Sequence, residues 1–323
     1  MMTNSRAAYD RVMGSSELSV TPSNSHSLSL GLDVGATKTH GVVLDANDQI
    51  LADHVQPTRK TEEGIRTTIL DVSTRLARQL GLSVSAFTSV GIGIPGIVRH
   101  PTGMVENAVN LGIGRMNLID LVAAGFAAPV RVENDVKASA LGARLALGGQ
   151  IHDLCYVNLG TGVSTAAVSN GRLLRGGRNG AGEIGHLAVY PDGELCGCGQ
   201  RGCLETEAGG NHIMRRLSAQ GLDLTALDTD PSPAALVEKR RITSAVVTAL
   251  TLVAITYDSV KVVVGGGVPR AARWLVPAVS AELRRRACES SFLAGLAVAD
   301  RIAQIPDEIP APAIGAAMVG AGR

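Results

Sequence analysis

Apolar residues along this chain fall into short runs with two distinct periods. Residues 28–55 (LSLGLDVGATKTHGVVLDANDQILADHV) read as a β-meander, broken at Gly35 and at the turn Asp45-Ala46-Asn47-Asp48. Over 61–80, Ile65, Ile69, Leu70, Val72, Leu76 and Leu80 recur at helical spacing, and Gly81 stops the helix. SVGIGIPGIV (89–98) predicts a buried strand that ends in a glycine-proline turn. Residues 129–135 predict another short strand, followed by a helix over 136–147 that ends at Gly148-Gly149. Residues 154–174 read as a hairpin. Residues 176–210 form a loop crowded with Gly, Cys and charge, too long to be idle in a compact domain. Beyond it come an apolar helix over 240–258, a strand, glycine turn and helix over 259–272, and a short apolar helix at 311–322. Residues 1–27 keep no period and predict a flexible tail. No period of 20–50 residues marks a repeat array. Meanders mixed with helices predict an α/β fold of two lobes with a cleft between them.

Composition narrows the classes. Lys and Arg total 30 against 29 acidic residues, a net charge of +1, in a chain of 323 residues. That balance offers no basic field for nucleic acid and no polybasic membrane patch. One Trp, four Tyr and three Phe leave little aromatic surface for stacking, so a polar ligand has to be held by hydrogen bonds. No apolar run reaches the length of a membrane span, and residues 1–27 carry no signal-peptide core. Five cysteines, three of them between 196 and 203, do not resemble a secreted disulfide framework. The expectation is a cytoplasmic protein.

Several glycine turns follow strands. In Asp33-Val34-Gly35-Ala36-Thr37-Lys38, Gly35 is free to take positive φ, Thr37 and backbone amides can face a phosphate, and Asp33 can hold a metal-bound water. A hairpin with polar turn residues explains the same run. Gly91-Ile-Gly-Ile-Pro-Gly96 has dinucleotide-fingerprint spacing, but Pro95 and the lack of a following amphipathic helix argue for a cleft-lining turn. Asn158-Leu159-Gly160-Thr161-Gly162 could cradle phosphate, and Gly265-Gly266-Gly267 could lie flat against a base. One nucleotide explains these spaced turns better than separate coincidences do. At Glu133-Asn134-Asp135, Asp135 reads as a helix N-cap, the commoner role, or as a general base. His186 followed by Cys196, Cys198 and Cys203 supplies one nitrogen and three sulfurs, a tetrahedral structural zinc set. The alternative, a Cys196–Cys198 disulfide, would be strained. Cys155 and Cys288 read as core thiols.

With these residues together, the chain resembles the ROK family (repressor, open reading frame, kinase) of bacterial sugar kinases from about Leu28 to Gly322. The most specific part is Ala181-Gly-Glu183-Ile-Gly-His186 followed by Cys196-Gly-Cys-Gly-Gln-Arg-Gly-Cys203-Leu-Glu205. The resemblance implies an actin-like ATPase fold. Residues 28–135 with 306–323 would form the smaller lobe. Residues 136–305 would form the larger lobe, with the zinc loop and a dimer surface. It implies ATP-dependent phosphorylation of a hexose, glucose at its 6-hydroxyl first, with N-acetylmannosamine, other hexoses or a non-catalytic sugar sensor as alternatives. Asp135 would be the base, and Gly96, Asn110, Asn134, Asp135, Glu183, His186 and Glu205 would bind sugar. Asp33, Gly35, Thr37, Lys38, Gly160–Gly162 and Gly265–Gly267 would serve ATP and magnesium. His186, Cys196, Cys198 and Cys203 would hold zinc, and the chain would form a homodimer or tetramer. Repressor members carry a winged helix-turn-helix of roughly 60–80 residues before the sugar domain; only 27 residues precede the first strand here. Three departures from the family pattern are Ala36, Val163-Ser164 and Lys137, at positions where glycine, glycine and a small residue or Asn are common.

Overall fold

Strand β1, Ser29–Val34, is buried on both faces, and its alternation sorts the first half of the protein. The computed structural model describes residues 27–323; the expected tail, apart from Ser27, lies outside the described residues. Leu30, Leu32 and Val34 join Ile65, Ile69, Val72 and Leu76 of the helix Glu62–Gln79 in one core. That helix is the one the apolar spacing predicts, N-capped by the Thr61 hydroxyl. Gly31, on the other face of β1, meets the helix Ala311–Gly320, where a Cβ would strike Ala317. Gly91 approaches the same helix at Ala316. Ala311–Gly320 is buried at every position but Pro312 because Gly142 and Gly315 also bring it against the helix Asp135–Ala146.

The described residues divide into two units: residues 27–150, 175–180 and 305–323, and residues 151–174 with 181–304. The first unit holds a sheet of order β3-β2-β1-β4-β8, with β2 Lys38–Leu44, β3 Ile50–Pro57, β4 Ser89–Ile94 and β8 Val130–Asn134. β1, β2 and β3 pair antiparallel; β4 and β8 continue the sheet parallel to β1. A small antiparallel sheet of β5 Ile97–Arg99, β6 Met104–Ala108 and β7 Ile113–Asn117 adds to this unit. The division falls after Gln150 instead of at 135/136, because the helix Asp135–Ala146 packs on the sheet and terminal helix of the first unit.

The second unit repeats the plan. Its sheet has the order β11-β10-β9-β12-β13, with β9 Leu154–Leu159, β10 Val163–Ser169, β11 Arg172–Leu173, β12 Lys261–Gly265 and β13 Ile302–Ala303. Again the first three strands are antiparallel and the last two run parallel to the first. The turn after β9 is therefore the topological counterpart of the turn after β1. Helices Gly210–Gln220, Pro233–Tyr257 and Leu275–Glu289 cover this sheet with their own core. The apolar helix expected over 240–258 starts earlier, at Pro233, because Ser232 caps it and Pro233 occupies its first turn.

Candidate active site and metal cluster

In the first unit the candidate residues lie where strands end. Asp33 is on the Gly31 face of β1, and its register partner on β4 is Gly93. A Cβ at Gly93 would lie 3.7 Å from the Asp135 Cα, so the missing side chain leaves Asp33 and Asp135 near one another. Burial, reinforced by the Asp135 charge, pushes the Asp33 carboxyl up to about 7 against the pull of Lys38. Thr37 and Lys38 are exposed in the turn, which the Gly35 N–H closes on the Lys38 carbonyl at 3.0 Å. Gly35 does not take the positive φ open to it. Its use is steric, since a Cβ would sit 3.0 Å from the Lys38 carbonyl oxygen.

The run Glu133-Asn134-Asp135 joins β8 to the following helix, and the expected N-cap shifts by one residue. Asn134 is the cap: its Oδ1 accepts the N–H groups of Val136 and Lys137, each at 3.1 Å. Asp135 is the first helical residue. Its Oδ1 accepts from the Val136 N–H at 2.9 Å and from the Asn134 amide at 3.1 Å. Glu133 is 1% exposed. Its Oε1 accepts the Asn134 N–H at 2.9 Å, its Oε2 accepts from Arg175 Nε at 2.7 Å, and His100 Nε2 lies 3.1 Å away. Burial alone would raise this carboxyl; His100, Arg175 and the Asn134 N–H outweigh it and hold the pKa below its ordinary value. Arg99 and Lys137 donate to the carbonyls of Arg178 and Asn179, at 2.8 and 3.1 Å. Charged groups thus hold residues 175–180 on the first unit.

Gly96 is needed where it stands. It has φ 101°, and a Cβ would come within 2.6 Å of the Glu106 carbonyl oxygen. Its carbonyl accepts from the Asn134 amide at 3.1 Å. Asn110 is exposed in the turn between β6 and β7.

In the second unit, glycine segments converge. The Gly210 N–H donates to the Gly160 carbonyl at 2.8 Å and the Asn211 N–H to Thr161 at 3.1 Å, which seats the start of helix Gly210–Gln220 on the turn after β9. Gly266, with φ 102°, lies against the Leu159 carbonyl, and Gly265 against the Tyr156 hydroxyl. A Cβ at Gly267 would meet nothing within 4 Å. Among these glycines the space beside Gly267 is open, whereas Gly162, Gly265 and Gly266 are needed for the close approach of Glu205, Tyr156 and Leu159. The Glu205 Oε2 accepts the Val163 N–H at 3.0 Å beside Gly162. Glu183 is exposed, three residues before His186, on a segment laid against β10 where Gly182 and Gly185 face the Thr165 and Val163 carbonyls.

The His186, Cys196, Cys198 and Cys203 donor atoms all lie within 4.8 Å of one another. Cys196 Sγ is 3.6 Å from His186 Nδ1, and Cys198 Sγ is 3.6 Å from Cys203 Sγ. Donors about 2.0–2.3 Å from one tetrahedral ion stand roughly 3.5–3.8 Å apart, so the four residues fit zinc. Burial and the neighbouring thiols push Cys203 up to about 12, a crowding that a divalent cation would relieve. Cys196 and Cys198 are both free thiols.

Two sets of residues escaped sequence reasoning. His100 and Arg175 hold Glu133 from distant parts of the chain, and no local pattern marks them. Gly209-Gly210 looked like the end of a loop, although a paired glycine before a helix was a visible signal.

The ROK family model matches residues 29–319. A glucokinase from Halalkalibacterium halodurans is 36% identical over 190 residues, and the chain spans 58% of that relative's length, with 58% of this chain matched. An N-acetylmannosamine kinase from Escherichia coli O157:H7 is 33% identical over 195 residues, 59% of this chain and 64% of the relative. The crystal structure of a ROK family glucokinase from Streptomyces griseus, in complex with glucose and AMPPNP, superposes with a TM-score of 0.74 at 28% identity, over 92% of this chain and 100% of that one. That likeness, the duplicated sheet plan and the matched residues lead to one conclusion: the chain belongs to the ROK family, with its actin-like ATPase fold.

Proposed function

We propose that the protein is an ATP-dependent hexose kinase acting on the 6-hydroxyl of glucose. The observation that carries the reading is the placement of Asp135. It stands at the first helical position after β8, with one carboxylate oxygen held by the Val136 N–H and the Asn134 amide, beside Asp33. Similarity to glucokinases supports the choice of sugar, and the bound AMPPNP of the Streptomyces griseus structure supports the donor. The N-acetylmannosamine kinase relatives favour the second reading, in which that amino sugar is the acceptor.

A sugar hydroxyl is a weak nucleophile. Asp135 takes its proton as the hydroxyl oxygen bonds to the γ-phosphorus of ATP, and the bond to the β-phosphate oxygen breaks with its electron pair on ADP. Glu183, Glu205, Asn110 and the Gly96 turn bind the remaining hydroxyls, which both donate and accept. His186, with Nδ1 towards Cys196, keeps Nε2 for a hydroxyl. Gly160–Gly162 and Gly265–Gly267 would hold the nucleotide, Gly35, Thr37 and Lys38 would face its phosphates, and Asp33 would help hold the magnesium ion. Magnesium, when bound, neutralises phosphate charge. His186, Cys196, Cys198 and Cys203 would hold zinc, which would fix the loop that carries His186. No helix among the described residues is long and apolar enough to cross a membrane.

Asp135→Asn tests the assignment. Turnover should fall by about 10²–10⁴-fold while the glucose Kd, read by calorimetry, stays within about threefold. Turnover close to wild type would remove Asp135 from the role of base.

A further inference from the structure

Glu194 stands at the neck of the cysteine-rich loop. Its carbonyl accepts the Gly202 N–H at 2.9 Å, and the Cys196 N–H donates to the Gln200 carbonyl at 2.8 Å, which closes the loop on itself. The Glu194 carboxylate leaves the loop and meets cations on two helices. On the helix Gly210–Gln220, Arg215 donates to its Oε2, His212 Nδ1 lies 3.5 Å from the same oxygen, and Arg216 Nη1 lies 3.8 Å from Oε1. On the helix Pro233–Tyr257, Arg241 donates to Oε1 at 3.4 Å. Two of these arginines have a buried carboxylate of their own: Arg216 donates to Glu238 at 3.0 Å and Arg241 to Glu207 at 2.8 Å. For Arg215 the carboxylate is Glu194. The helix that carries His212, Arg215 and Arg216 begins on the turn after β9, where its Gly210 and Asn211 N–H groups bond the Gly160 and Thr161 carbonyls. A Cβ at Gly210 would come within 2.6 Å of the Gly160 carbonyl oxygen. Packing that close leaves no slack, so a shift of the helix start carries the turn with it.

We propose that Glu194 is a positioning residue that couples the cysteine-rich loop to the turn after β9, so that zinc in the loop raises the affinity for nucleotide. The proposal rests on the reading in which that turn holds nucleotide and His186, Cys196, Cys198 and Cys203 hold zinc. The filled donor set fixes the neck where Glu194 stands. Glu194 fixes the first turns of the helix through His212 and Arg215, and the helix fixes Gly160 and Thr161. Without the metal the neck loosens, the carboxylate no longer holds its cations in one place, and the turn loses its support. This route runs to the nucleotide and bypasses the sugar, which the loop reaches through His186. Coupling of this kind is reciprocal: nucleotide must tighten zinc by the factor by which zinc tightens nucleotide. The Glu194 side chain is 28% exposed, so solvent screens its ion pairs and the factor falls in the lower part of the usual range for coupled sites.

The test is calorimetric binding of AMPPNP with magnesium, and separately of glucose, to the full-length protein. In the wild type, stripping zinc should weaken the AMPPNP Kd by about 5–30-fold. Glu194→Gln keeps the size of the side chain and removes its charge. With zinc loaded, it should weaken AMPPNP by about 5–20-fold and leave the glucose Kd within about threefold, a split that general loosening of the fold would not give. Stripping zinc from this variant should then weaken AMPPNP by less than about twofold further, because the strut is already gone. Arg215→Gln, at an exposed position, should move AMPPNP affinity in the same direction and serves if Glu194→Gln folds poorly. In the wild type, saturating AMPPNP should raise zinc affinity, read by chelator competition, by about 5–30-fold. An AMPPNP Kd within twofold in zinc-loaded and zinc-free wild type would overturn the proposal and leave the kinase reading intact. Unchanged AMPPNP affinity in both zinc-loaded variants, or equal losses of AMPPNP and glucose affinity, would overturn it as well. No AMPPNP binding to zinc-loaded wild type is the separate result that would defeat the nucleotide reading beneath it, and the proposal with it.

Discussion

Gly162 and Glu205 compete for the same space: a Cβ on Gly162 would overlap Glu205 Oε2, the oxygen that accepts the Val163 N–H at 3.0 Å. The glycine therefore does more than relax a turn. It admits a carboxylate to the start of β10.

Gly162→Ala should displace that carboxylate. We expect the glucose KM to rise by about tenfold, with a smaller change in kcat and little change in melting temperature, since the turn is at the surface of the core. Steady-state kinetics beside a thermal melt would check it. An unchanged KM in a folded variant would argue that Glu205 does not touch the sugar.

Glu133 should make stability depend on acid. Its folded pKa lies below the ordinary 4.5, so its contribution is present above pH 4.5 and is lost as pH falls through the lower folded value. Glu133→Gln at pH 7 leaves Arg175 without its buried partner, at a cost of about 3 kcal/mol, and should lower the melting temperature by about 5–10 °C. The gap between wild type and variant should narrow as pH drops below 4.5. A gap that stays constant from pH 7 to pH 3.5 would contradict the ion-pair account.

Zinc should be stoichiometric with the purified protein by elemental analysis and should leave on treatment with a strong chelator. Because His186 would join the metal to the sugar pocket, the stripped protein should bind glucose at least about tenfold more weakly, and restored zinc should recover it. Cys198→Ser, at an exposed ligand, should reproduce the loss with the fold retained. Full glucose affinity in protein shown to be free of zinc would separate the metal from substrate binding.

Much of this architecture was legible where one local pattern dominates. The meander of β1–β3 and the helix Glu62–Gln79 follow from alternation and from helical spacing of Ile65, Ile69, Val72 and Leu76. The Cys-rich loop was legible because ligand chemistry restricts which residues can stand there. The sheet of β5, β6 and β7 was not, because strands such as MVENA and IGRMN are short and mixed in polarity, and their pairing is decided by partners across turns. The cap at Asn134 against Asp135 was undecidable by composition, since either residue caps well; the hydrogen bonds to Val136 and Lys137 decide it. The duplicated sheet plan leaves no sequence period, because the two units share topology and differ in loop lengths and helices.

The central claim is sugar phosphorylation, and its most direct test is ADP release from Mg-ATP in zinc-loaded protein across glucose, mannose, fructose, N-acetylglucosamine and N-acetylmannosamine. The account predicts turnover with glucose that exceeds the other sugars, and a product phosphorylated at the 6-hydroxyl. Turnover confined to N-acetylmannosamine would move the substrate to the second reading. Binding of a sugar with no ADP release from any of the five would contradict the kinase assignment and leave a sugar sensor.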